Sequence, residues 1–203
     1  MNIKEIEKNS TTEIVINKSK FFAYSFIVHN EFEVEKFLNE IRKNHSTATH
    51  ICYAFRLQTS EEKCSDDGEP QGTAGKPILD VIKKSKFENL LIAVVRYFGG
   101  IKLGAGGLVR AYSNSASTVL SLSGEKQSLE CQKLSFNISL SESKYVKIIQ
   151  NISCIKKSEV TYKDKILIDI FVEEIEIKNI KTQIQNILMR EIDFSIDTNI
   201  YYV

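Results

Sequence analysis

The chain has 203 residues, 26% of them charged and 42% hydrophobic, and its formal net charge is +1. That balance suits a packed globule of one large domain or two small ones, and it excludes a disordered chain. It also excludes a global basic field, so any nucleic-acid binding has to come from a local patch. The start, MNIKEIEKNS, is charged and lacks the apolar stretch of a secretory signal, and no apolar run approaches membrane-span length. A cytoplasmic protein that does not enter a membrane is expected.

In chain order, residues 12–16 and 21–28 are rich in β-branched and aromatic types and read as a strand pair. Asn17, Lys18, Ser19 and Lys20 supply the polar turn between them. Residues 31–44 carry Val34, Phe37, Leu38 and Ile41 at helical spacing. A strand over 50–57 and a polar loop over 60–71 follow. Thr73 then reads as the N-cap of a helix reaching residue 84, with Ile78, Leu79 and Ile82 on its apolar face and Pro77 in its first turn. Residues 89–97 form a continuous apolar strand, expected to be buried on both faces. A glycine loop leads into a helix over 106–121, with Leu108, Ala111, Tyr112, Ser115 and Val119 along one side.

Residues 121–125 are the best linker, ending on Gly124. Beyond it the pattern is β-α-β-β-α-β, with strands at 129–140, 155–162, 166–173 and 193–202 and helices at 142–152 and 175–190. Ser141 is the expected cap of the first of these helices. This is the ferredoxin-like split βαβ order. The four cysteines (Cys52, Cys64, Cys131 and Cys154) form no CxxC pair, so a zinc knuckle or thioredoxin-type site is not supported. Unbridged, mostly core thiols are expected.

Both prolines and all glycines but one fall within residues 64–112. The first motif runs from Cys64 to Pro77. Its Asp66, Asp67 and Glu69 are candidates for Mg²⁺ binding or acid–base chemistry, or they simply build a surface turn. Gly72 to Lys76 enters a helix, so its backbone N–H groups can face an anion with Lys76 close by.

The second motif, Val95 to Tyr112, has the order strand, glycine loop, helix. Gly99 and Gly104 have the spacing of a Walker loop, but Ala105 and Gly106 stand where Lys and Ser/Thr belong. Gly104-x-Gly106 opens a dinucleotide fingerprint, but Val109 replaces its third glycine. What remains is a general anion site with Arg96, Lys102 and Arg110 nearby, or else a tight strand-to-helix crossing. His50 and Cys52 share a strand face, which does not by itself make a catalytic pair. Tyr24, Tyr53, Tyr97 and Tyr112 can stack on bases only if exposed.

Two runs, Cys64 to Ile78 and Arg96 to Tyr112, together resemble the YigZ/IMPACT family. His50-Ile-Cys-Tyr-Ala54 is similar to a shorter motif of that family, and Ser19-Lys20-Phe21 fits its start. The resemblance covers residues 10–120, and the remainder resembles the C-terminal domain of the bacterial two-domain members. It implies an α+β protein. Residues 1–124 would form a ribosomal protein S5 domain 2-like domain, and residues 125–203 a ferredoxin-like domain similar to domain V of elongation factor G. Eukaryotic members regulate translation by competing for a ribosome-associated kinase activator, using an added RWD domain. These 203 residues hold no RWD domain, so that partner is not expected here.

The leading expectation is a non-enzymatic RNA- or ribosome-associated protein with a role in translation or its regulation. Its cationic glycine-loop surface would use Lys76, Arg96, Lys102 and Arg110 on phosphates, with backbone donors at Gly104, Gly106 and Gly107. The alternative is an enzyme on a small phosphorylated or acidic substrate, with a pocket of His50, Asp66, Asp67, Glu69, Thr73 and Tyr112. A third reading is a protein-interaction module. No catalytic residue, metal or cofactor is assigned, and no protein partner is indicated.

Overall fold

The computed structural model describes residues 2–203. They divide into two compact units, one of Ile3–Gln127 and one of Asn2 with Ser128–Val203. Among the described residues no helix is long and apolar enough to cross a membrane.

The first unit contains β1 (Asn2–Glu5), β2 (Ser10–Ile16), β3 (Ser19–Ile27), α1 (Glu31–Asn44), β4 (His50–Arg56), β5 (Glu62–Ser65), α2 (Gly75–Ser85), β6 (Leu90–Tyr97) and α3 (Gly104–Leu122). Five strands form an antiparallel sheet in the order β2-β3-β6-β4-β5. Ile16 pairs with Ser19, leaving Asn17 and Lys18 as a two-residue turn, both at positive φ (45° and 64°). That is the backbone a twisted hairpin requires. The exit of β6 passes hard against this turn. A Cβ on Gly99 would lie 2.0 Å from the Lys18 carbonyl carbon, so only glycine fits there.

Buried along all but its last residue, β6 carries a core on each face. On one side Val94, Phe21 and Cys52 meet Ile78 of α2 and Leu108, Tyr112 and Val119 of α3. On the other, Leu91 and Val95 meet Val34, Leu38 and Ile41 of α1. Each such aliphatic side chain stabilises the fold by about 1.5–3 kcal/mol. Asn30 caps α1 by accepting from Glu33 N–H, and Glu33 accepts from His29 N–H in return.

Two local expectations fail for physical reasons. Residues 62–65, expected to lie in a loop, form β5 on the edge of β4, pairing from Tyr53 with Ser65 to Arg56 with Glu62. Its side chains are polar and mostly exposed, so no alternation of apolar residues marks it. Thr73 does not cap α2. Its hydroxyl donates to the Pro70 carbonyl at 2.6 Å, and Ala74 occupies the cap position without a side-chain bond.

The second unit contains β7 (Lys126–Ile138), α4 (Val146–Gln150), β8 (Lys157–Tyr162), β9 (Ile166–Val172), α5 (Ile177–Leu188) and β10 (Ser195–Tyr202). Four strands of its five-stranded sheet pair antiparallel in the order β10-β7-β9-β8, which is the ferredoxin-like arrangement. Leu134, Phe136, Ile168 and Ile170 of the sheet pack on Ile149 of α4 and Ile180 and Ile184 of α5. The helix expected over 142–152 begins as a 3₁₀ turn, Leu140–Tyr145, and only Val146–Gln150 is α-helical. Ser139, not Ser141, caps that turn, in a reciprocal box with Glu142. Arg190 clamps the same carboxylate through Nε at 2.8 Å and Nη2 at 2.9 Å. Those bonds from Arg190, followed by the Ser139 N–H, hold the Glu142 carboxyl down at about 2.

Candidate functional site

The acidic loop between β5 and α2 divides its three carboxylates between different tasks. Asp66 turns inward and accepts from the N–H groups of Gly72 (2.8 Å), Ala74 (3.0 Å) and Gly75 (2.8 Å). The N-terminus of α2, expected to cradle an external anion, is therefore already filled by an internal one. Burial raises the Asp66 carboxyl, but the three backbone donors outweigh it and hold the group below the usual range. Gly75 is required because a Cβ there would meet the Ser65 backbone at 2.7 Å. Asp67 accepts from Ile51 N–H at 2.6 Å and tethers the start of β4.

Glu69 is buried, and its Oε1 receives Arg96 Nη1 at 2.6 Å and the Tyr112 hydroxyl at 2.8 Å. The guanidinium expected to face solvent thus lies inside, 5% exposed, with Nη2 3.4 Å from the Ser19 hydroxyl. Its Nε is a buried donor with no acceptor among the described residues. Tyr112 is fully buried and cannot stack on a base; burial pushes its hydroxyl far above the ordinary range. Cys52 donates to the Asp66 carbonyl at 2.9 Å and lies 3.4 Å from the Tyr112 hydroxyl. Burial pushes its thiol up to about 12, which disfavours the thiolate that a nucleophile needs.

Beside this network lies a cavity of about 450 Å³. Its lining includes the polar residues His50, Glu69, Arg96 and Lys102 and the apolar residues Pro70, Phe98, Leu103 and Leu108, with Gly104 and Ala105 at the α3 start. His50 Nδ1 lies 2.7 Å from the Asp67 carbonyl. A carbonyl can only accept, so Nδ1 carries the proton and Nε2 is the open position. That Nε2 is 3.9 Å from Glu69 Oε1, beyond a hydrogen bond. A larger hollow, about 570 Å³, is lined by residues such as Val81, Phe87 and Leu120 and contains none of the motif residues.

The α3 start is the open helix terminus of the site. Leu103 stands at the cap with no side-chain bond, and no acidic residue occupies the first turn. Gly104 needs its glycine for φ +69°. Gly106 has no internal reason to be glycine, since its φ is not positive and an added Cβ would meet nothing within 4 Å. Lys102 and Arg110 are exposed and enter no ion pair among the described residues.

The expected site residues are thus partly gathered. His50, Glu69, Arg96, Lys102 and Gly104 converge on the cavity, whereas Asp66, Asp67, Thr73, Lys76, Gly106, Gly107, Arg110 and Tyr112 do not line it. Lys76 is exposed on α2. Sequence reasoning passed over Thr49, which accepts from Phe98 N–H at 3.0 Å, and Phe98 itself, 47% exposed. An aromatic placed directly before Gly99-Gly100 was the available signal for Phe98.

Fold and site define a two-unit α+β protein whose first unit carries a glycine-rimmed, cation-bearing cavity. Residues 17–120 match the Impact N-terminal domain, just over half the chain. The chain belongs to that family. It is 50% identical over 107 residues to the IMPACT family member YvyE of Bacillus subtilis, covering 52% of this chain and 49% of YvyE. It is 38% identical over 128 residues to an IMPACT family member of Thermus thermophilus, 63% of this chain and 69% of that protein. The chain therefore spans about half the length of YvyE and 54% of a Haemophilus influenzae member. A crystal structure of a hypothetical protein shares the fold over 98% of both chains, with a TM-score of 0.69 and 23% identity.

Proposed function

We propose that the protein is a non-enzymatic RNA- or ribosome-associated factor with a role in translation or its regulation, binding phosphate groups at the α3 start. One observation carries this reading. A helix N-terminus with neither a capping side chain nor an acidic residue has exposed Lys102 just before it and exposed Arg110 further along the helix, and it lines one cavity with Arg96, whose buried Nε has no acceptor among the described residues. The translation part is supported by family membership, through the role of the eukaryotic members. The non-enzymatic part is supported by the carboxylates, since Asp66 and Asp67 are committed to backbone donors and Glu69 to Arg96 and Tyr112. Lys76, which does not line the cavity, is an outlying contact in this reading.

Co-sedimentation with ribosomes across a salt series tests it. Each phosphate contact contributes a slope of about −0.7 to −0.9 in log K against log salt. Lys102→Ala with Arg110→Ala flattens the slope by roughly two such contacts; an unchanged slope, or no association at low salt, overturns the reading. His50 favours a second reading, acid–base turnover of a small phosphorylated substrate, because it lines the cavity with Nδ1 held by the Asp67 carbonyl and Nε2 left outside that bond. His50→Gln separates the two: binding survives under the first reading, and turnover disappears under the second.

A further inference from the structure

The cavity has features that a groove for a continuous strand lacks. Buried Glu69, Arg96 and Leu108 form part of its lining, and it is a bounded hollow rather than a flat surface. A strand has to lie across such a cavity, whereas one unit can enter it. At about 450 Å³ it falls within the range of small-ligand sites. Its lining is also mixed. Phe98, Leu103, Leu108 and Pro70 offer apolar surface, and Lys102 and the first residues of α3 line it as well.

Two further observations concern the cavity wall and the α3 start. Arg96 lines the cavity, and its buried Nε has no acceptor among the described residues, although Nη1 and Nη2 of the same side chain are engaged. A buried donor of this kind costs stability unless something accepts from it. Gly106, one residue beyond the lining, exposes bare backbone in the first turn of α3, where an alanine would fit and would favour the helix. Neither packing nor dihedral explains that glycine, and close approach of an external group to the α3 start would.

We infer that the cavity takes one phosphorylated nucleotide unit, with its base against Phe98 and its phosphate on the N–H groups at the start of α3, beside Lys102. This rests on the phosphate-binding reading above and narrows its ligand from a strand to a single unit. The same chemistry is offered by a free nucleoside monophosphate and by the phosphorylated end of an RNA. Phe98 is half-exposed, so an incoming base gains stacking area without rearrangement of the core.

Titration calorimetry on the full chain tests this with adenosine 5′-monophosphate, adenosine, inorganic phosphate, and an oligoadenylate in linear 5′-phosphorylated and circular forms. The monophosphate binds at least ~10-fold more tightly than adenosine or phosphate alone, and Phe98→Ala removes about that factor, the order that one stacked base supplies. Binding of linear but not circular oligoadenylate assigns the unit to an RNA end. Binding of the monophosphate with neither oligomer assigns it to a free nucleotide. Equal binding of linear and circular forms overturns the inference, as does a monophosphate no tighter than phosphate. Ribosome co-sedimentation of Phe98→Ala distinguishes the two levels. If it persists while the monophosphate fails to bind wild type, the pocket inference falls and the ribosome reading stands. If wild type binds the monophosphate but no ribosome, the reverse holds.

Discussion

Glu69 holds Arg96 inside the first unit, with Oε1 2.6 Å from Nη1, and the same oxygen takes the Tyr112 hydroxyl at 2.8 Å. Both charges are buried, so removing one strands the other. Arg96→Ala or Glu69→Ala should each destabilise the first unit by roughly 3–5 kcal/mol, whereas Arg96→Met combined with Glu69→Leu should cost less than either single change. Urea unfolding of the three variants measures this. Additive losses would mean that the pair is not coupled.

Asp66 supplies the anion that α2 lacks from its own cap. Asp66→Ala leaves three N–H groups without their acceptor and should cost about 2 kcal/mol. The pH dependence has a definite sign. Its folded-state carboxyl titrates below the usual range, so its contribution is complete above an ordinary aspartate value of about 3.9 and is lost as pH falls through the folded-state value. Urea midpoints measured from neutral to acid pH should fall for wild type, and Asp66→Asn should show a smaller fall over that window.

Gly99 and Gly106 should behave oppositely on replacement by alanine. At Gly99 the new Cβ would meet backbone at 2.0 Å, and the variant should lose several kcal/mol or fail to fold. At Gly106 the space is open, so thermal stability should be unchanged or rise by roughly 0.4–1 kcal/mol. Ribosome co-sedimentation of Gly106→Ala should weaken despite that stability. Full retention would remove the case for an external group at this position.

The four thiols are free, but only Cys52 and Cys131 are buried; Cys64 is exposed and Cys154 partly so. Burial raises the Cys64 thiol as well, which slows it. A disulfide reagent on the native protein should modify Cys64 and Cys154 first, and Cys52 only with unfolding. Rapid native labelling of Cys52 would show that the packing around Tyr112 and Glu69 opens readily.

Much of the fold is legible from periodicity. The continuous apolar run at β6 reads as a doubly covered strand, and Leu108, Ala111, Tyr112, Ser115 and Val119 read as the buried side of α3. What escapes is tertiary. The edge strand β5 owes its existence to β4, and α2 is capped by a residue eight positions before Ala74. At the site, a charged residue within a strand gives no local sign of which way it faces. Arg96 sits beside Val95 on a strand, and only its partner Glu69, 27 positions away, turns it inward. The glycines were visible as a cluster, but their separate reasons were not. Close approach accounts for Gly75 and Gly99 and positive φ for Gly104, while Gly106 answers to neither.

The place of β6 has a consequence for how the chain acquires its structure. It lies between β3 and β4, both of which precede it in sequence. A ribosome releasing this chain therefore emits β2–β3 and β4–β5 as separate hairpins, each with an unpaired edge. Neither can join the other until Leu90–Tyr97 emerges and slots between them. The cavity is completed later still, when α3 follows. Such late, non-local closure slows folding and exposes strand edges to other chains meanwhile.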